Sequence, residues 1–152
     1  LDVVLDAKLI LVGSAIDLSN HEIPTEKIKN FEVVGWSDNP EKYIEAAEIL
    51  LDYNANINED VFLSSKLTKY ISYNRKVLIL SAGKSAPEQF IANKENLGIW
   101  NTTFSENNFV QNATDSLNTE ISNWSERSKF CKSINSDIQV AKFIDFLSKE
   151  NI

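Results

Sequence analysis

The chain has 152 residues, 43% of them apolar and 24% charged, which suits one globular domain and excludes wholesale disorder. Its 22 acidic residues outweigh 15 basic ones, a formal charge of −7, so nucleic acid would meet net repulsion. A single cysteine, Cys131, excludes an intramolecular disulfide framework and any Cys-cluster zinc site, and a single histidine, His21, would have to carry any Ser-His or Cys-His mechanism.

No apolar run approaches the ~20 residues that span a bilayer. The opening Leu1-Asp2-Val3-Val4-Leu5-Asp6 has neither Met nor a cationic stretch before an apolar one. It is not a signal peptide and reads as a piece beginning inside an element. No repeat or Gly/Pro/Ser-rich linker divides the sequence, so the expected organisation is one domain over residues 1–152.

In chain order, short unbroken apolar runs alternate with helical patterns. Leu9-Ile10-Leu11-Val12 ends at Gly13, and Phe31-Glu32-Val33-Val34 ends at Gly35. Pro40 to Ala47 reads as a helix, with Asp38-Asn39-Pro40 as its start. Ile49-Leu50-Leu51 is a third run. Leu63, Leu67, Tyr70 and Ile71 then form an i, i+4, i+7, i+8 stripe, and Val77-Leu78-Ile79-Leu80 is the fourth run. Ser85-Ala86-Pro87-Glu88 opens another helix. Leu97-Gly98-Ile99-Trp100 is a weaker fifth run, after which Ser105 to Asn123 and Asp137 to Lys149 read as helices.

Runs that do not alternate apolar with polar residues are typical of strands buried on both faces. Strand and helix in repeated succession predict an α/β domain with a parallel sheet, expected as a three-layer α/β/α Rossmann-like arrangement. Such sheets take ligands beyond the carboxyl ends of their strands. That directs attention to Gly13-Ser14, Gly35-Trp36-Ser37, residues 52–65 and residues 81–85.

The segment from Asn58 to Ile71 leaves a strand and enters a helix through Ser64-Ser65-Lys66. A helix start favours anions, and hydroxyls beside an ammonium suit phosphate oxygens. The same residues also fit a serine cap beside a solvated lysine, and both alternatives stay open on the residues alone.

The stretch from Phe62-Leu63-Ser64-Ser65-Lys66-Leu67 to Arg75-Lys76-Val77-Leu78 resembles the F-x-P-S-K-L-x-E-Y-L-A-x-G-K-P-V-L signature of group 1 glycosyltransferases, enzymes built from two Rossmann domains (the GT-B architecture). Lys8 to Gly13 is similar to that family's K-L-x-x-V-G strand. Val33-Val34-Gly35-Trp36 with Tyr43 to Leu51 resembles its V-x-G-W…Y-x-x-A-D-x-L-L block, and Ala86 to Ile91 with Leu97-Gly98-Ile99 its A-x-x-F-I…G-I element. The four pieces occur in the family's order.

The resemblance implies the C-terminal, nucleotide-sugar-binding half of such an enzyme. It implies a UDP- or GDP-sugar as donor, an unknown acceptor and a missing N-terminal acceptor domain on the same full-length chain. On this basis the diphosphate falls to Ser64, Ser65, Lys66 and Gly13, and the nucleoside to Gly35, Trp36, Ser37 and Lys69. No catalytic residue, metal or other cofactor is implied. The implied setting is cytoplasmic, in polysaccharide biosynthesis, with peripheral membrane association through the missing half and no transmembrane segment. Lys69 stands where many relatives carry the glutamate that binds ribose, Val61 stands at the partner acidic position, and Asn74 and Lys76 replace Gly and Pro of G-K-P. These departures leave a non-catalytic Rossmann-like nucleotide-binding or interaction module as the alternative.

Other features point to nothing more. His21-Glu22 has no nearby partner in sequence, and Glu59-Asp60 lacks further carboxylates at ligand spacing. Cys131 reads as a small buried hydrophobe, and Trp100 and Trp124 as packing residues.

Overall fold

The computed structural model describes residues 8–13, 30–54, 64–82 and 94–134. Among them the chain is α/β, with every strand pair parallel. It divides into two compact units, Leu1–Tyr43 and Ile44–Ile152.

In the first unit β1 (Leu9–Val12) pairs with β2 (Phe31–Val34), register running from Leu9 opposite Phe31 to Val12 opposite Val34. Gly13 follows with φ of +155° and donates its N–H to the Val34 carbonyl at 3.3 Å. Leu9, Ile10 and Val33 are exposed, so the two-face burial expected of apolar runs does not extend to this pair. Among the described residues β1 and β2 pair only with each other, and a two-stranded ribbon by itself cannot cover both faces. Helix α1 (Glu41–Ala46) lies within the predicted stretch Pro40 to Ala47, starting directly after Pro40, and the boundary between the units falls within it.

In the second unit β3 (Ile49–Tyr53), β4 (Lys76–Ser81) and β5 (Ile99–Thr103) form a sheet in the order β3-β4-β5. The central β4 is buried from Val77 through Ser81, as its unbroken apolar run requires. Side-chain alternation divides the core in two. Leu50, Val77, Ile79 and Ile99 pack with Leu67 and Ile71 of α2 (Ser65–Ile71) and with Phe130 and Cys131 of α4 (Trp124–Ser133). Ile49, Leu51, Leu78 and Trp100 pack instead with Phe109 and Ala113 of α3 (Glu106–Asn118).

Three sequence expectations change. The fifth strand begins at Ile99, because Glu95–Leu97 is a 3-10 turn closed by Gly98 at φ +77°. The helix expected from Ser105 to Asn123 stops at Asn118. A separate helix, α4, then starts behind Asn123, whose side chain accepts the Glu126 N–H at 3.3 Å. Apolar periodicity does not announce α4, because its one fully buried side chain is Arg127. The helices expected around Ser85 and over Asp137 to Lys149 lie outside the described residues.

Arg127 is 1% exposed. Its Nε donates to the Ile71 carbonyl at 3.0 Å and its Nη2 to the Tyr70 carbonyl at 3.2 Å, at the negative end of α2. Its Nη1 donates to the carbonyls of Leu97 at 3.0 Å and Gly98 at 3.3 Å. Trp124 lies 5.4 Å from the guanidinium, measured to the ring centroid. One side chain thus ties α4 to the end of α2 and to the turn before β5.

Gly98 sits against this staple. A Cβ there would meet Ile121 Cγ1 at 3.1 Å and Arg127 Nη1 at 3.2 Å, in a backbone conformation that L-residues avoid. Gly98→Ala should cost about 2 kcal/mol or more, from left-handed strain plus crowding of a guanidinium that cannot move away. Asn ordinarily tolerates such a φ, but here its larger side chain should make Gly98→Asn worse than alanine. Urea denaturation of both variants checks the order, and a mild asparagine would mean that conformation alone selects glycine.

Candidate functional site

The carboxyl ends of β3, β4 and β5 form the edge at which parallel sheets take ligands. Asp52, the penultimate residue of β3, shares the strand face of Leu50 and is 1% exposed. Its Oδ1 accepts the Ser64 hydroxyl at 3.0 Å and its Oδ2 accepts Asn54 Nδ2 at 3.2 Å. Asn54 is buried as well and extends the ladder through its N–H to the Leu80 carbonyl at 3.0 Å. At the neighbouring strand ends, Ser81 donates to Asn101 Oδ1 at 3.1 Å, and Asn108 Nδ2 donates to Thr103 Oγ1 at 3.0 Å. Tyr53, 67% exposed, meets Phe104 edge to face at 5.5 Å.

Burial pushes the Asp52 carboxyl above the ordinary aspartate range, while the Ser64 and Asn54 hydrogen bonds and the Lys66 charge pull partly back. Tyr70 on α2 is raised too, first by burial and then by the Asp52 charge. Ionising Asp52 therefore costs the folded state. Its contribution to stability is full in acid and is lost as pH rises through the folded value.

Ser64 is the N-cap of α2. Its Oγ accepts the Lys66 N–H at 3.2 Å while donating to Asp52, and its carbonyl accepts the N–H groups of Leu67 at 3.1 Å and Thr68 at 3.4 Å. The Ser64 side chain is thus committed to holding the first turn. Ser65 and Lys66 stand exposed beyond it. Lys69 is exposed one turn further on the same helical face as Lys66.

The remaining sequence-predicted site residues belong to the first unit. Gly13 closes β1, and a Cβ on it would meet open space, so its positive φ is what requires glycine. Gly35, Trp36 and Ser37 follow β2. Trp36 is 80% exposed with its Nε1 donating to Asp38 Oδ1 at 3.2 Å, and Ser37 Oγ accepts the Asn39 N–H at 3.2 Å. Val61, Glu59-Asp60 and His21-Glu22 lie outside the described residues.

Asp52 opens the strand-end segment, residues 52–65, that the sequence marks, but sequence reasoning gave it no role. The available signal was a carboxylate two residues after Leu50 in an apolar run, on the same face of the strand. Among the described residues no three His, Cys, Asp or Glu side chains gather as a metal site, and no helix is long and apolar enough to cross a membrane. No protein-family model, curated protein or solved structure matches the chain.

Proposed function

We propose that the chain is the nucleotide-sugar-binding half of a group 1 glycosyltransferase, a three-layer α/β/α Rossmann-like domain that holds the diphosphate and nucleoside of the donor. A second domain of the same polypeptide would supply the acceptor site. The observation that carries this reading is positional. The most extensive of the four resembling segments opens α2 after β3 and ends in β4, so its Ser-Lys pair falls at the carboxyl edge of a parallel sheet.

In this reading Ser65 and the Lys66 ammonium contact the diphosphate, and Ser64 positions them through Asp52. Departure of the sugar leaves negative charge on the diphosphate, and a fixed cation beside it stabilises that charge as it develops. Lys69 replaces a ribose-binding carboxylate with an ammonium, which favours contact with the phosphates over the ribose hydroxyls. The resemblance assigns the base to Gly35, Trp36 and Ser37, and the exposed Trp36 ring has the flat apolar face that base stacking uses. No metal is assigned.

A thermal-shift panel of UDP, GDP, ADP and CMP tests the reading. A nucleoside diphosphate at a hundredfold excess over its Kd should add about 2.7 kcal/mol, a shift of several degrees, and CMP should do less. No glycosyl transfer should occur with this chain alone. Equal melting in all four nucleotides and in buffer would refute donor binding.

A further inference from the structure

Among the described residues of the second unit, Asp52 is a buried carboxylate that forms no ion pair. It reaches across twelve positions of sequence to Ser64, which in turn caps α2. Among the described residues, α2 presents Lys66 and Tyr70 to its charge, and the register neighbour on β4 is the non-titrating Ile79. We propose that Asp52 is a charge-gated latch for the first turn of α2. Ionised, it draws Ser64, and with it Ser65 and Lys66, onto the end of β3; neutral and still buried, it holds that turn more weakly, although protonation relieves the cost of burying its charge in the fold as a whole.

The geometry supplies the mechanism. A hydrogen bond to a carboxylate is roughly twice as strong as one between neutral groups, and Asp52 accepts two. A protonated Asp52 offers Ser64 and Asn54 only neutral acceptors, so the bond through which Ser64 holds the first turn on β3 weakens while Ser64 keeps the Lys66 N–H. Burial raises the pH at which the proton arrives above the ordinary aspartate range. The consequence for ligands rests on the proposed donor-binding role: a loosened first turn presents Ser65 and Lys66 less well, so diphosphate affinity should fall as Asp52 is neutralised.

The latch itself is tested without ligand. In the labelled chain, the Asp52 side-chain carbon and the amides of Ser65, Lys66 and Leu67 are followed by NMR from neutral pH into acid. They should share one midpoint above the ordinary aspartate value of about 3.9. Exchange protection of the Leu67 and Thr68 amides should drop roughly tenfold across it, the difference between a charged and a neutral hydrogen bond. In Asp52→Asn these amides should sit at their acid-limit positions throughout. In Ser64→Ala the carboxyl should still titrate, at a higher midpoint because a stabilising bond is gone, but the first turn should no longer follow it. First-turn amides that ignore the Asp52 midpoint, or that still follow it in Ser64→Ala, overturn the latch.

UDP titrations in the same pH range complete the test. The wild type should lose affinity more steeply than Asp52→Asn, a comparison that cancels the ionisation of UDP itself. A wild type that binds no nucleotide overturns the donor-binding reading, while the ligand-free amides still decide the latch. Equal pH dependence in both proteins, with UDP bound, overturns the functional consequence of the latch.

Discussion

Replacing Arg127 with methionine is expected to cost the second unit on the order of 2–6 kcal/mol, a large share of the 5–15 kcal/mol that holds a domain of ordinary size together. The apolar replacement of a buried charge is often harmless, because both partners of an ion pair can be exchanged for packed hydrocarbon. That escape is closed here. The acceptors are the backbone carbonyls of Tyr70, Ile71, Leu97 and Gly98, which no substitution removes; Tyr70 and Gly98 also accept the Tyr73 and Val77 N–H groups, but methionine would take from the Ile71 and Leu97 carbonyls the donor that Arg127 supplies. The guanidinium is itself under strain from burial, which lowers its pKa to about 10, yet it stays ionised at neutral pH. Arg127→Lys keeps the charge but replaces a five-donor fork with three donors on a point, so it should recover only part of the loss. Urea denaturation followed by circular dichroism measures all three proteins. A methionine variant within about 1 kcal/mol of wild type would mean that the staple is dispensable.

This same residue shows where sequence reasoning stops. The strands were legible because β1, β2, β3 and β4 are apolar runs bounded by Gly or polar residues, and α2 because Leu67 and Ile71 recur on one face and are both buried. Helix α4 was not legible, since its anchor is an arginine whose four acceptors lie 29 to 57 positions earlier in the chain. No periodicity of apolar residues encodes such a contact. The strand expected from Leu97 begins two residues later, at Ile99, for a local reason: Gly98 adopts a left-handed turn that its neighbours' β propensity cannot override.

At the candidate site the division is similar. Ser64 as a helix cap follows from residue type and position alone. That its hydroxyl also bonds Asp52 could not be read, because a donor and an acceptor twelve residues apart meet only once β3 and α2 are packed. The buried polar positions Ser81 and Thr102 likewise look like ordinary strand ends in sequence. Their partners, Asn101 and Asn112, are supplied by the next strand and by α3.

Lys66→Ala carries the largest expected effect on ligand binding. If the diphosphate lies on Ser65 and Lys66, removing the ammonium deletes one charge-assisted hydrogen bond, worth about 1.5–3 kcal/mol. The dissociation constant for the best nucleotide in the panel should rise roughly 10- to 150-fold. Folding should change little at neutral pH, because Lys66 is exposed and its backbone N–H, the part that Ser64 holds, is retained in alanine. One electrostatic side effect is expected. Lys66 is among the groups that pull the Asp52 carboxyl down, so its loss should raise the Asp52 midpoint further. The variant should then gain slightly in relative stability as pH falls through that window, since protonation relieves a carboxylate that has lost its nearby cation. Lys69→Glu separates the phosphate from the ribose contribution. A restored carboxylate should strengthen nucleoside binding if position 69 reaches the ribose, and should weaken diphosphate binding if Lys69 serves the phosphates. Isothermal titration of uridine and UDP against wild type, Lys66→Ala and Lys69→Glu distinguishes these outcomes. Unchanged UDP affinity in a folded Lys66→Ala protein would remove the diphosphate from this turn and leave Ser64 and Ser65 as the start of a helix and nothing more.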